Sequence, residues 1–114
     1  MQTLDGIRHE LPRPVRLIKC DIEGAELFAF RGARRLIAED TPVIFSEMLR
    51  KWSAKFGYHP NDLIALFKDL GYATYAIEEG RAAPVTEVTE STASTNFLFL
   101  HKQNHRHQRD LVLP

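Results

Sequence analysis

The stretch Val15-Arg16-Leu17-Ile18-Lys19-Cys20-Asp21-Ile22-Glu23-Gly24-Ala25-Glu26 determines how the rest of the chain is organised. Its first half, residues 15–20, is apolar and rich in residues that favour β-strands. The acidic tripeptide 21–23 ends this run, and Gly24 permits a sharp turn before helix-forming residues resume. The order is therefore strand, acidic loop and helix. In open α/β sheets, such a loop lies at the carboxyl end of a strand, where ligands bind.

The rest of the chain continues the alternation of strands and helices. The predicted strands are residues 15–20, 43–45, 72–77 and 96–101, and the predicted helices are residues 25–30, 33–38 and 60–70. Residues 1–14, 48–58 and 82–95 are predicted to lie outside strands and helices. The third helix has the clearest signals, since Pro60 suits a first helical position and Gly71 suits a helix end.

This order of elements predicts an α/β fold. Two successive strand–helix units predict a parallel pair of strands with right-handed crossovers. The apolar run of residues 15–20 is nearly continuous, which predicts burial on both faces of a parallel sheet. The last two strands, residues 72–77 and 96–101, are predicted to pair antiparallel.

Composition excludes several classes of protein. The 114 residues include 15 basic and 15 acidic side chains, so no net charge favours nucleic acid or an anionic membrane. No apolar stretch approaches the roughly 20 residues that span a bilayer. The single cysteine, Cys20, excludes an internal disulfide and fits a reducing compartment. Residues 1–6 lack the features of a signal peptide, so the cytoplasm is the expected location.

Residues 17–26 resemble the signature K-hydrophobic-D-hydrophobic-E-G-A-E of the FkbM-type methyltransferases, which use S-adenosylmethionine. Further short motifs occur in the family's order: Thr3-Leu4-Asp5, Arg31-Gly32-Ala33 and Thr41-Pro42-Val43-Ile44-Phe45-Ser46-Glu47. The resemblance runs from Thr3 to about His101. It implies the C-terminal half of a Rossmann-like seven-stranded methyltransferase sheet, with parallel strands and a terminal antiparallel hairpin.

The resemblance also implies a division of the chain. Residues 1–101 would form a partial methyltransferase-like α/β domain, and residues 102–114 a polar, flexible tail. The family's cofactor-binding half, with its glycine-rich loop, is expected N-terminal to Thr3. The cofactor would be S-adenosylmethionine, and no residue of this chain is assigned to its binding.

Three carboxylates are the candidate catalytic residues. Asp21 and Glu23 follow the first strand and Glu47 follows the second, so adjacent parallel strands would bring them within several ångströms of one another. One of them would orient or deprotonate the hydroxyl of a methyl acceptor. The alternative for Asp21 and Glu23 is capping of the next helix, and for Glu47 it is a solvated strand end. Glu26 is expected on the helix surface or as a cap.

Lys19 and Trp52 are the candidate substrate-binding residues. Lys19 lies in an apolar strand, where it can pair with Asp21 or Glu47 or extend to solvent from the sheet edge. The aromatic residues Trp52, Phe56 and Tyr58 can line a substrate pocket or cover the core. Cys20, which follows Lys19, is expected to be a small buried residue rather than a nucleophile.

The C-terminal tail is rich in histidine and arginine. His101, His105 and His107 accompany Arg106 and Arg109, but they are not joined by cysteines or acidic residues that would complete a metal site. No metal is therefore assigned. The strand of residues 15–20 would lie on an edge of the sheet if its neighbour in the family is absent, and self-association or a partner chain is expected there.

The favoured function is S-adenosylmethionine-dependent methyl transfer to an oxygen atom of a small-molecule or glycan acceptor, with this chain as the C-terminal half of the enzyme. This choice follows from the resemblance. One alternative is a non-catalytic α/β module, or a degenerate fragment, that needs a partner chain. The other is a divalent-metal-dependent hydrolase that uses Asp21, Glu23 and Glu47. No nucleic acid and no membrane are expected as partners.

Overall fold

The computed structural model describes residues 3–89 and 91–105, without the side chains of Arg50, Trp52 and Ser53. In this part of the chain one sheet contains β1 (Leu17–Cys20), β2 (Val43–Glu47), β3 (Tyr72–Glu78), β4 (Arg81–Val85) and β5 (Asn96–His101). The α-helices are α1 (Leu4–Ile7), α2 (Glu26–Arg31), α3 (Arg34–Asp40), α4 (Arg50–Lys55) and α5 (Pro60–Asp69), and a short 3₁₀ helix, Arg8–Glu10, follows α1. The predicted α/β class is confirmed.

The five strands lie in the order β1-β2-β5-β3-β4. β1 and β2 are parallel, with Cys20 opposite Ser46, whereas the other three pairs are antiparallel. The predicted parallel pair and the predicted antiparallel pair of β3 with β5 are both present. The sheet as a whole is mostly antiparallel.

The position of β1 differs from the prediction. The strand lies at one edge of the described sheet, and its Leu17 side chain is 63% exposed. The expected burial on both faces is therefore wrong for this strand, in which only Cys20 is buried. A run of apolar residues favours a strand, but it does not determine whether that strand lies in the middle of a sheet or at its edge.

All three segments that were predicted to be irregular contain regular elements. α1 and the 3₁₀ helix lie within residues 1–14, α4 lies within residues 48–58, and β4 extends into the stretch 82–95. Glu79 and Gly80 adopt positive φ angles of 50° and 76° and turn the chain from β3 directly into β4. Pro84 is tolerated because β4 is an edge strand. β4 was not predicted because residues 82–95 are mostly polar.

The core lies between the helices and one face of the sheet. Phe67 of α5 is fully buried, and its ring lies 5.0 Å from Phe30 of α2 and 4.3 Å from Phe99 of β5, between ring centroids. α5 begins as predicted, with His59 as its N-cap and Pro60 at its start. The packing of α5 on the sheet and on α2 places the acidic loop after β1 against a rigid support.

Candidate functional site

The acidic loop, residues 21–25, is organised around one buried carboxylate. Glu26 is only 2% exposed, and it accepts hydrogen bonds from the backbone N–H of Ile22 at 2.8 Å and of Gly24 at 3.1 Å. The expectation that Glu26 lies on the helix surface is wrong, and its carboxylate binds amides of the loop before α2 instead of capping the helix. Because a buried carboxylate needs donors, these two amides and Glu26 stabilise one another.

Tyr58 fixes the same loop from the other side. Its hydroxyl donates to the carbonyl oxygen of Gly24 at 2.6 Å and accepts from the N–H of Leu27 at 3.4 Å. The loop backbone is unusual, because Glu23 and Gly24 have φ angles of 52° and 103°. Such angles are costly for a residue other than glycine, so the surrounding contacts must hold them.

Asp21 and Glu23 are exposed, and neither side chain caps α2. The N-cap of α2 is Ala25, which has no side-chain cap, and the loop amides bond to Glu26 instead. The two carboxylates are therefore at the surface of a loop whose backbone is held by other residues.

Glu47 lies beside this loop. The register pairs Cys20 with Ser46, so Asp21 and Glu47 are the next residues of two adjacent parallel strands. The pKa of Glu47 is raised above its usual value, first by partial burial and then by the negative charges of Asp21, Glu26 and Glu23. The structure thus brings the three candidate catalytic carboxylates to one end of the sheet, and their catalytic role stays a prediction.

Lys19 and Cys20 lie on opposite faces of β1. Lys19 is exposed, and its Nζ atom is 5.9 Å from the centroid of the Phe45 ring. Cys20 is buried, and burial together with the charges of Glu26 and Asp21 raises the pKa of its thiol to about 11. The thiol is therefore protonated near neutral pH, as expected for a packed side chain rather than a nucleophile.

The predicted aromatic residues have separate positions. The side chain of Trp52 lies outside the described residues, so its substrate-binding role stays a prediction. Phe56 is 45% exposed and packs edge-to-face on Phe28, with 5.9 Å between ring centroids. Phe28 is 48% exposed and lies 6.1 Å from the Tyr58 ring. Phe28 was not among the predicted site residues. The signal for it is that a large apolar side chain of α2 is exposed.

An apolar cavity of about 530 Å³ adjoins the acidic loop. We call it the aromatic groove. Its walls are formed by the loop, by α1 and α2 and by the turn after α4, through Leu4, Ile22, Ala25, Phe28 and Phe56.

The N-terminal motif Thr3-Leu4-Asp5 has a structural role. The Asp5 carboxylate accepts from the backbone N–H groups of Arg35 at 3.0 Å and Leu36 at 2.8 Å, so it caps the start of α3. The Thr3 hydroxyl accepts from the N–H of Gly6 at 3.0 Å. Thr3-Leu4-Asp5 therefore joins α1 to α3 and does not contribute to the acidic site.

Two of the three tail histidines are described. The Nδ1 atom of His105 accepts from the backbone N–H of His101 at 2.7 Å, and His105 is buried beside Tyr72. His107, Arg106 and Arg109 lie outside the described residues, and the predicted boundary of the tail stays a prediction. Within residues 3–89 and 91–105, no three His, Cys, Asp or Glu side chains are grouped so that they could hold a metal ion.

Comparisons with known proteins give one result. A family model described as "Methyltransferase FkbM domain" matches residues 1–74, more than half of the chain, and this range includes the acidic loop and Glu47. Searches of curated proteins and of solved structures found no match. None of the helices in the described ranges is long and apolar enough to span a membrane.

Proposed function

This chain belongs to the FkbM methyltransferase family, and from that premise we propose that it serves S-adenosylmethionine-dependent methyl transfer to an oxygen atom. The observation that carries the proposal is the group of carboxylates Asp21, Glu23 and Glu47 at one end of the parallel strands, within the range that the family model matches. The cofactor would supply the methyl group.

The arrangement of the sheet supports the further proposal that the chain corresponds to the C-terminal half of a Rossmann-like methyltransferase sheet. β1 and β2 are parallel, and β5 lies between β2 and β3 and is antiparallel to both. This arrangement agrees with the expected hairpin at the end of that sheet. β4 is an additional edge strand for which the proposal gives no role.

The acidic loop after β1 does not fit the carboxylate of the cofactor. The loop after β1 is acidic, and the backbone N–H groups of Ile22 and Gly24 already bond to Glu26. These amides are therefore not available to the carboxylate of S-adenosylmethionine. We accordingly assign to this chain the acceptor side of the reaction and derive no step through the cofactor.

On the acceptor side, Asp21 would accept a hydrogen bond from the acceptor hydroxyl and take its proton. Glu47 would assist, because its raised pKa makes its carboxylate a stronger base than an ordinary glutamate. Glu23 would fix the orientation of the acceptor from the same loop, with Lys19 and Trp52 as further contacts. The acceptor itself would be a small molecule or a glycan.

The experiment compares residues 1–114 with a version that is extended at its N-terminus by the cofactor-binding half of a family member. Calorimetry with S-adenosylmethionine should give binding only for the extended version. In that version, Asp21→Asn should lower the rate of methyl transfer at least tenfold while the cofactor Kd changes less than about twofold. The matched control is Asp69→Asn, an exposed aspartate on α5. An unchanged rate for Asp21→Asn would reject the catalytic role.

We also propose that the free edge of β1 pairs with a second chain or a second copy of this chain. Val43 N–H donates to the Arg16 carbonyl, so Ile18 faces β2 and the alternate residues Leu17 and Lys19 direct their backbone groups outward. Exposed strand edges invite such pairing. Sedimentation over a concentration series should show association that Leu17→Pro abolishes, and a monomer at high micromolar concentration would contradict this proposal.

The cytoplasm is the proposed location, supported by the unpaired thiol of the buried Cys20.

A further inference from the structure

The aromatic groove gathers most of the exposed apolar surface in the described residues. The large apolar side chains that are exposed there are Leu17, Ile22, Phe28 and Phe56, and all except Leu17 line this groove. Its volume of about 530 Å³ lies within the range of small-molecule sites, roughly 300–1,000 Å³. Exposed apolar groups that converge on one cavity indicate a binding surface, whereas singly scattered ones do not.

The walls of the groove are fixed before any ligand arrives. Glu26 holds the N–H of Ile22, and Tyr58 holds the carbonyl oxygen of Gly24, so the loop cannot turn Ile22 inward without breaking these bonds. Phe28 and Phe56 pack edge-to-face on each other. A site whose residues are held in place loses less conformational entropy when a ligand binds.

Two exposed carboxylates flank the groove residue Ile22 in the chain. Asp21 and Glu23 precede and follow Ile22, and their Cα atoms are about 3.8 Å from its own. After partial burial, their negative charges also contribute to the raised pKa of Glu47. Lys55, which precedes Phe56 on α4, already has an interaction partner. An apolar aromatic cavity beside two exposed carboxylates is complementary to a molecule with an apolar body and a positive end.

We propose that the aromatic groove binds a small amphipathic cation, such as an alkyl or aryl amine. Its apolar body would pack against Ile22, Phe28 and Phe56, and its ammonium group would lie at Asp21 and Glu23. Aromatic rings attract cations, and the carboxylates supply the opposite charge. This site goes beyond the proposed function, because its occupation requires neither the cofactor nor methyl transfer.

The test uses three probes with the same alkyl body and different ends: n-octylammonium, n-octanol and n-octanoate. Each is titrated into residues 1–114 near neutral pH, and binding is followed by NMR chemical shifts. We expect n-octylammonium to bind about fivefold more tightly than n-octanol, and n-octanoate to bind most weakly, since an ion pair at a partly exposed site adds about 1 kcal/mol.

Two pairs of matched variants separate the apolar and the charged parts of the site. Phe28→Ala should weaken the binding of n-octylammonium and n-octanol alike, about fivefold or more, whereas Leu17→Ala, which removes an exposed apolar residue outside the groove, should not. Asp21→Asn/Glu23→Gln should abolish the preference for the ammonium end. Asp69→Asn/Glu78→Gln, which removes two exposed carboxylates elsewhere, should preserve that preference.

Each alternative occupant gives a different result. Equal or tighter binding of n-octanol would overturn the proposal in favour of a neutral apolar ligand. A dimer that Phe28→Ala converts to a monomer, with no probe bound, would show that a second copy covers the groove. Circular dichroism verifies the fold of each variant, and Phe56→Ala replaces Phe28→Ala if that variant unfolds. Because no cofactor is present, these outcomes are independent of the methyltransferase proposal.

Discussion

Both ends of the sheet carry carboxylates, but their surroundings differ. At the open end, where β1 and β2 finish, Asp21 and Glu23 are exposed and Glu47 is surrounded by negative charge. At the closed end, where β1 and β2 begin, Asp40 accepts from Arg13 through two bonds of 2.6 Å and from the N–H of Val15 at 2.9 Å.

Three more hydrogen bonds lie at the closed end. The Tyr72 hydroxyl donates to the carbonyl oxygen of Pro42 at 2.6 Å, and the N–H of His101 donates to His105. Asn104 Nδ2 donates to the Thr41 hydroxyl at 2.9 Å, which connects the residues after β5 to the start of β2.

The pKa shifts express the difference between the ends. Hydrogen bonds from Arg13 hold the pKa of Asp40 and that of Glu39 below their usual values, whereas the pKa of Glu47 is raised. Hydrogen bonds from a cation let Asp40 and Glu39 stabilise the fold, whereas burial and neighbouring negative charges have the opposite effect for Glu47. The open end thus has the features of a site kept available for a ligand, with Glu26 as its structural exception.

The largest expected effect is on stability, at the buried Glu26 of the open end. Glu26→Ala should lower the free energy of unfolding by about 3 kcal/mol, because two loop amides lose a buried charged acceptor. Glu26→Gln should cost less, since it retains one acceptor oxygen. Urea denaturation measures both variants, and the exposed Glu23→Ala is the control. A loss for Glu26→Ala no larger than for Glu23→Ala would remove the distinction between these residues.

At the closed end, Tyr72→Phe should cost about 1.5 kcal/mol, because it leaves the buried carbonyl oxygen of Pro42 without its donor. Burial raises the pKa of the Tyr72 hydroxyl, so it remains a donor throughout the accessible pH range. The control is Tyr75→Phe, a buried tyrosine on the same strand whose hydroxyl has no partner among the described hydrogen bonds. Equal stabilities of the two variants in urea would contradict this account.

The closed end should also weaken in mild acid. Burial lowers the pKa of His101 and of His105 below 6.5, although a hydrogen bond with the Thr41 backbone opposes this for His105. The unfolded chain therefore binds more protons as pH falls through 6.5, and stability decreases from there.

The expected loss is about 1 kcal/mol, the value of one hydrogen bond, since a protonated His105 Nδ1 can no longer accept from His101. Urea midpoints between pH 7.5 and 5 measure it, above the range in which Glu39 and Asp40 titrate. His105→Gln should reduce this pH dependence, and the exposed His9→Gln should retain it. A flat profile for the unmodified protein would show that the pair does not control this end.

The smallest effect has the opposite sign. Glu47→Gln should raise the free energy of unfolding by about 0.5 kcal/mol at pH 7, because it removes a partly buried charge and its repulsion from Asp21, Glu26 and Glu23 at a screened site. The folded-state pKa of Glu47 is raised above 4.5, so the gain is present above that pKa and lost below 4.5. The exposed Glu87→Gln should change little. A destabilised Glu47→Gln would indicate an attractive partner for Glu47.

Local sequence predicted much of this fold. The strand, acidic loop and helix at residues 17–31 follow the apolar run, Gly24 and the helix formers, and α5 follows its cap, Pro60 and its apolar spacing. The gathering of Asp21 and Glu47 also follows from local signals, because parallel neighbours finish at the same end of a sheet. Each of these features follows from signals within a single strand, loop or helix.

Other features were decided only by the tertiary structure. The amino-acid sequence determined where the acidic loop and most strands lie, but burial depends on what packs there from elsewhere in the chain. Tyr58 reaches Gly24 across 34 residues, and no local pattern indicates that contact. The same holds for the burial of Glu26, the exposed edge of β1 and the groove at Phe28, because each depends on the neighbours that folding brings together or leaves absent.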